Sequence, residues 1–310
     1  FMKLSVEEIK KITFGAVRYE ECDGELHFYK CTKKQCDAWY NEWEGLGERS
    51  ESTTGITLDF VSDAKEIAFE VCGSKFEILI NGNFNKQYLF SDKDFQEVNL
   101  SLNGEKNRIT LVFPDHDKGI LKSVALSGES FIEPHKFERK ILFLGDSITQ
   151  GWNSKYDFMS YPYQVSDFLN AEIVINGIGG AYYLPQSFDT VDFDPDTVVV
   201  AYGTNDFTHY KDIDAFSEAV SGFLKKVKDI YGGKKVIVIT PIFRFGDLTR
   251  AWGTIDDYID VIKTKATCFL FDVVNGYDLV PHNMDFYADA VHPNDLGFSV
   301  YARKLISKLV

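Results

Sequence analysis

The chain has 310 residues, of which 45% are apolar, enough to bury one large hydrophobic core or two modest ones, and nothing in the composition indicates disorder or a fibrous repeat. The formal net charge of -14 argues against nonspecific partnership with nucleic acid or an anionic membrane surface, because both are polyanions that such a chain repels at long range. A neutral substrate fits better, and two domains are expected at this length.

The N-terminal segment FMKLSVEEIKK lacks the basic start and apolar run of a secretory signal, and no stretch approaches the roughly 20 apolar residues of a membrane helix. Cys22, Cys31, Cys36, Cys72 and Cys268 are odd in number and scattered. With no C-x-x-C pair and no neighbouring histidine, they read as reduced core thiols rather than as a metal or disulfide framework. A cytoplasmic protein is therefore expected.

From about Ile12 to Gly128, short β-rich runs alternate with turns: ITFGAVRYEE, GELHFYKC, ITLDFVS, EIAFEVC, KFEILINGN, EVNLSL, RITLVF and LKSVALSGE. That spacing predicts a β-sandwich. Asp23-Gly24, Asn81-Gly82 and Asn103-Gly104 are turn dipeptides that readily supply positive φ. One helical interruption, Lys33 to Trp43, breaks the pattern.

After Pro134 the pattern changes to buried apolar strands, KILFLG, EIVING, DTVVVAYG, KKVIVIT and CFLFDV, separated by helical stretches. This is the signature of a parallel sheet. Helices are predicted at Tyr163 to Leu169, Asp214 to Tyr231, Thr254 to Lys265 and Asp295 to Leu309, the last with Asn294 as N-cap. The boundary falls near residue 135, giving domains of residues 1–135 and 136–310.

Four segments of the second half carry chemistry, each at a predicted strand end, where functional groups gather in an open parallel sheet. Gly145-Asp146-Ser147 places Ser147 in an exposed strand-to-helix turn suited to a nucleophile. Asn176-Gly177-Ile178-Gly179-Gly180 has enough glycine to turn backbone N–H groups toward an oxygen, and Asn205 in Gly203-Thr204-Asn205-Asp206 adds a side-chain donor. In Asp289-Ala290-Val291-His292, the spacing lets a carboxylate orient an imidazole that takes the serine proton. Alone, each has a plainer reading as a cap, a tight turn or a surface histidine. Together they supply every role in acyl transfer.

With these residues the second half, about residues 139 to 309, resembles the SGNH (GDSL-type) hydrolase superfamily. The resemblance implies a flavodoxin-like three-layer α/β/α domain, a triad of Ser147, Asp289 and His292, and an oxyanion hole built from the N–H groups of Ser147 and Gly180 with the Asn205 side chain. Gly179 is an alternative to Gly180, because the glycines crowd together. Thr149 stands where the Gly-x-Ser-x-Gly elbow has glycine, which separates the chain from the large α/β-hydrolase family.

The preceding jelly-roll-like β-sandwich makes the layout similar to family 2 carbohydrate acetyl esterases. Activity is then expected on small-molecule or oligosaccharide esters, acetyl esters above all, with no cofactor, metal, nucleic acid or membrane involved and self-association left open. Trp152, Tyr182, Tyr183 and Trp252 are candidates for stacking on sugar rings. Two other readings remain: a lysophospholipase or thioesterase with an apolar acyl channel, and a noncatalytic carbohydrate-binding protein. A metal held by Asp289 and His292 would lack further ligands.

Overall fold

The computed structural model describes residues 1–310. In chain order the first half contains β1 (Met2–Lys3), α1 (Val6–Lys11), β2 (Thr13–Phe14), β3 (Arg18–Cys22), β4 (Glu25–Tyr29), α2 (Lys33–Glu42), α3 (Glu44–Ser50), β5 (Thr57–Ser62), β6 (Glu66–Cys72), β7 (Lys75–Ile80), β8 (Asn83–Leu89), β9 (Gln96–Ser101), β10 (Asn107–Val112), β11 (Ile120–Leu126) and β12 (Ile132–Pro134). These strands form two antiparallel sheets, one in the order β3-β4-β11-β6-β9 with β1 beside β11, the other β12-β5-β10-β7-β8 with β2 beside β5. The β3-β4 and β7-β8 turns are the predicted Asp23-Gly24 and Asn81-Gly82 pairs, each with positive φ at both residues, as a type I′ hairpin turn requires.

Alternation explains the core between these sheets. Ile67, Phe69 and Val71 of β6 and Val98 and Leu100 of β9 share one buried cluster with Leu58 and Phe60 of β5, Phe76 and Ile78 of β7, and Ile109 and Leu111 of β10. The intervening residues of the second sheet are buried too: Asp59 on β5, Glu77 and Leu79 on β7. Leu79 and Val112 belong to the core of the second half, so this sheet is covered on both faces.

The second half contains β13 (Arg139–Gly145), α4 (Ser147–Gln150), α5 (Tyr161–Leu169), β14 (Ala171–Gly177), β15 (Thr197–Ala201), α6 (Asp206–His209), α7 (Ile213–Tyr231), β16 (Lys235–Ile239), a small hairpin of β17 (Thr249–Arg250) and β18 (Gly253–Thr254), α8 (Ile255–Cys268), β19 (Asp272–Val274) and α9 (Asp295–Leu309). Its sheet is wholly parallel, in the order β14-β13-β15-β16-β19. The order reverses at β13 and β15, the point where open parallel sheets place their sites. Leu142, Leu144, Val198 and Val200 pack with α7 and α8 on one face. Ile141, Phe143 and Val199 pack with α5 and α9 on the other.

Several expectations need correction. The run CFLFDV is not a strand throughout: α8 continues through Cys268, Leu270 takes a left-handed φ of 60°, and β19 starts only at Asp272. Of the five cysteines, only Cys31 and Cys36 are buried core thiols; Cys22 and Cys268 are exposed, and none is paired. Strand β8 and helices α1 and α3 go beyond the predicted elements. No helix is long and apolar enough to cross a membrane.

Candidate active site

Strand β13 delivers Asp146 and Ser147 to the start of α4, where the Asp146 side chain caps the helix by accepting from the Ile148 N–H at 2.9 Å. Gly145 has no room for a side chain, since a Cβ there would lie 2.1 Å from Thr149 Oγ1. Thr149 is buried and bonded to the Tyr161 hydroxyl at 2.9 Å. Ser147 is only 6% exposed, more enclosed than the sequence suggests, and its hydroxyl faces protein: Oγ lies 2.8 Å from His292 Nε2.

His292 Nδ1 lies 2.8 Å from Asp289 Oδ2, and Asp289 Oδ1 accepts the N–H groups of His292 and Val291 at 2.8 and 2.7 Å. Partial burial alone would push the Asp289 carboxyl up. The His292 N–H, its imidazole and the Val291 N–H outweigh that and hold it below the usual carboxylate range. An ionised Asp289 assigns the proton to Nδ1 and leaves Nε2 as an acceptor for the serine hydroxyl. Asn153, which sequence reading passed over, donates to Asp289 Oδ2 at 2.7 Å.

The glycine segment after β14 forms a tight turn in which the Ala181 N–H donates to the Ile178 carbonyl at 2.9 Å. Gly180 takes φ of 89° at the third position, the geometry of a type II turn. The Gly179 N–H donates to Gln150 Oε1 at 2.6 Å, whereas the Gly180 N–H bonds no protein group. Asn205 occupies the N-cap position of α6 without capping it. Its Nδ2 donates to the Ala181 carbonyl at 2.9 Å, which ties it to the same turn and leaves its second N–H.

The aromatic candidates divide. Trp152 is partly exposed, with its ring centroid 6.4 Å from that of His292 and 4.4 Å from that of His116. Tyr183 is fully buried, and Tyr182 is 4% exposed, stacked on His209 at 3.7 Å with its hydroxyl on Glu42. Neither presents a free ring face, so both are corrected from sugar platforms to packing residues. Trp252 is partly buried, its indole N–H on the Phe207 carbonyl at 3.0 Å.

Asp115, His116 and Asp157 each bring one possible metal-ligand atom to a site less than 4.8 Å across. The Lys75 ammonium lies against Asp157 and already supplies positive charge there. A cavity of about 660 Å³ lies between the halves, lined by Phe14, Leu79, Phe137, Phe158 and Ile173 among others, and includes neither Ser147 nor His292.

The four sequence segments thus converge at the carboxyl edge of the parallel sheet, and residues 143–300, just over half the chain and spanning all four, match the GDSL-like Lipase/Acylhydrolase family. The chain belongs to that family. It is 27% identical over 228 residues to the cellulase/esterase CelE of Acetivibrio thermocellus, a match that covers 59% of this chain but only 27% of that protein. Among solved structures, it resembles the salicylyl-acyltransferase SsfX3 from a tetracycline biosynthetic pathway (TM-score 0.81, 16% identity, 96% of this chain and 94% of that one). It also resembles a family two carbohydrate esterase from Cellvibrio japonicus (TM-score 0.71, 17% identity, 99% and 96%). At these identities the likeness establishes a shared fold, extending over both halves.

Proposed function

We propose that the chain is a serine esterase that removes short acyl groups, acetyl above all, from carbohydrates. The observation that carries this reading is the line of bonds from Asp289 through His292 to the Ser147 hydroxyl. Ser147 Oγ attacks the ester carbonyl as its proton passes to His292 Nε2. The carbonyl oxygen becomes an oxyanion held by the N–H groups of Ser147 and Gly180 and by Asn205 Nδ2. Collapse breaks the ester C–O bond, the imidazolium protonates the departing alkoxide, and an acyl-serine remains. Water then attacks with His292 as base, releasing the carboxylic acid and restoring the serine.

The carbohydrate substrate class rests on two relatives, the cellulase/esterase CelE and the family two carbohydrate esterase. Short acyl groups are favoured because the cavity of about 660 Å³ between the halves does not reach Ser147. The same reading divides the chain near residue 135 into a jelly-roll-like sandwich domain and a flavodoxin-like hydrolase domain. Two sheets around one core support the first and the β14-β13-β15-β16-β19 order supports the second.

The test is initial-rate hydrolysis of p-nitrophenyl esters of increasing acyl length beside acetylated xylo- and manno-oligosaccharides, for wild type and Ser147→Ala. Acetyl release that vanishes in the variant is expected. Preference for long acyl chains would replace this reading with a lipid or thioester hydrolase.

A further inference from the structure

The turn that presents Gly180 is held by the other half of the molecule. The Gly179 carbonyl accepts from Arg49 Nη1 at 2.8 Å and the Gly177 carbonyl from Lys30 Nζ at 2.7 Å. Asn176, just before the turn, accepts from Gln35 Nε2 at 2.8 Å and donates to the Lys30 carbonyl. Arg49 lies in the last turn of α3 and Lys30 follows β4, so all these partners come from the N-terminal half.

The Gly179 C=O and the Gly180 N–H belong to one planar peptide unit and point in opposite directions. Type I and type II turns differ mainly in a half-rotation of this central peptide. With glycine at both central positions, the local sequence allows either. A bond that fixes the Gly179 carbonyl therefore fixes where the Gly180 N–H points. Arg49 makes that bond, and an added Cβ on Gly180 would lie 3.1 Å from Arg49 Nη1.

Arg49 is itself held in place. Its guanidinium carbon lies 5.3 Å from the ring centroids of both Trp43 and Trp152, within cation–π range. Lys30 is fully buried, and its ammonium meets three neutral oxygens: Ser52 Oγ at 2.7 Å, Thr54 Oγ1 at 3.0 Å and the Gly177 carbonyl. Burial pulls its pKa down to about 8. A buried ammonium on neutral acceptors is costly for the fold, which sets it apart from an ordinary stabilising contact.

We propose that Arg49, backed by Lys30, is a positioning residue for the oxyanion hole: it locks the Gly179–Gly180 peptide so that the Gly180 N–H faces the reacting carbonyl, making the N-terminal half a working part of the hydrolytic site. This rests on the reading of Gly180 given above. Arg49 acts through the peptide and touches no reacting atom.

The test compares wild type, Arg49→Met, Arg49→Lys and Ser147→Ala on p-nitrophenyl acetate, with thermal melts to establish folding. Loss of a whole oxyanion donor costs about 10² to 10³ in turnover, so Arg49→Met should lower kcat by about 10- to 10²-fold while KM changes little. Arg49→Lys, which keeps a donor but not the planar fork, should recover part of the loss. An Arg49→Met variant that folds with wild-type kcat, or that changes KM alone, would overturn the proposal. If Arg49→Met does not fold, the lysine variant decides: a split between lowered kcat and unchanged KM supports positioning, and wild-type kcat refutes it. Turnover surviving in Ser147→Ala would instead overturn the serine-esterase reading itself.

Discussion

His292 Nε2 lies 2.8 Å from Ser147 Oγ although 145 residues separate the two in the chain. A nucleophile and base that act as one unit do not contribute independently. Ser147→Ala, His292→Ala and the double variant should therefore reach the same residual rate. Initial rates on p-nitrophenyl acetate check this; a double variant slower than either single one by the product of their effects would show that the two act separately.

Asn205 donates one N–H to the Ala181 carbonyl and has one left for substrate. Asn205→Ala should lower kcat by about 10² to 10³ with KM nearly unchanged. A rise in KM at constant kcat would place the side chain in ground-state binding instead.

Asn153 has a left-handed φ of 69° and bonds the same Asp289 oxygen that faces the imidazole. Asn153→Gly tolerates that backbone while removing the amide. Its loss in kcat should be smaller than that of Asp289→Asn, which disturbs the imidazole tautomer directly. Steady-state rates of the two variants side by side decide the order.

Asp206 is fully buried, with Oδ1 on the Tyr183 N–H at 2.9 Å and Oδ2 unpartnered. Burial, opposed only in part by backbone N–H bonds, raises its pKa to about 8. The folded state favours the neutral acid, so this contribution is fully present below the unfolded value of about 3.9 and is lost as pH rises through about 8. The melting temperature of wild type should fall as pH rises from about 4 to about 8. That of Asp206→Asn, which keeps an oxygen for Tyr183, should fall less; parallel pH profiles would contradict this account.

What was legible in the sequence follows from how local the causes are. The parallel strands are apolar runs, and α9 begins at Asn294 because that side chain caps Gly297 at 3.0 Å. Helix α1 also carries a local signal, the Ser5–Glu8 capping box. Helix α3 had none: it contains Gly45 and Gly47, and its packing on α2 leaves no space for a Cβ at Gly47 beside the Tyr40 ring. Strand β8 is mostly exposed and lacks apolar alternation, so only pairing with β7 defines it.

The residues at the site divide in the same way. Ser147, Asn205, Asp289 and His292 each stand in a short segment at a strand or helix end, where residue type and spacing are informative. Lys30, Gln35 and Arg49 reach the Asn176–Gly180 segment across 130 or more residues, and a single sequence carries no trace of such contacts. Burial misled the reading of Tyr182 and Tyr183, because an aromatic beside a glycine turn looks the same whether it lines a cleft or fills a core.

The most direct measurement of the central claim is covalent labelling by a fluorophosphonate, followed by intact-mass and peptide mass spectrometry. One phosphonyl group on the peptide containing Ser147, absent in Ser147→Ala and strongly slowed in His292→Ala, is the predicted result. A wild-type protein that stays unlabelled, or carries the label on another residue, would contradict the assignment of Ser147 as nucleophile.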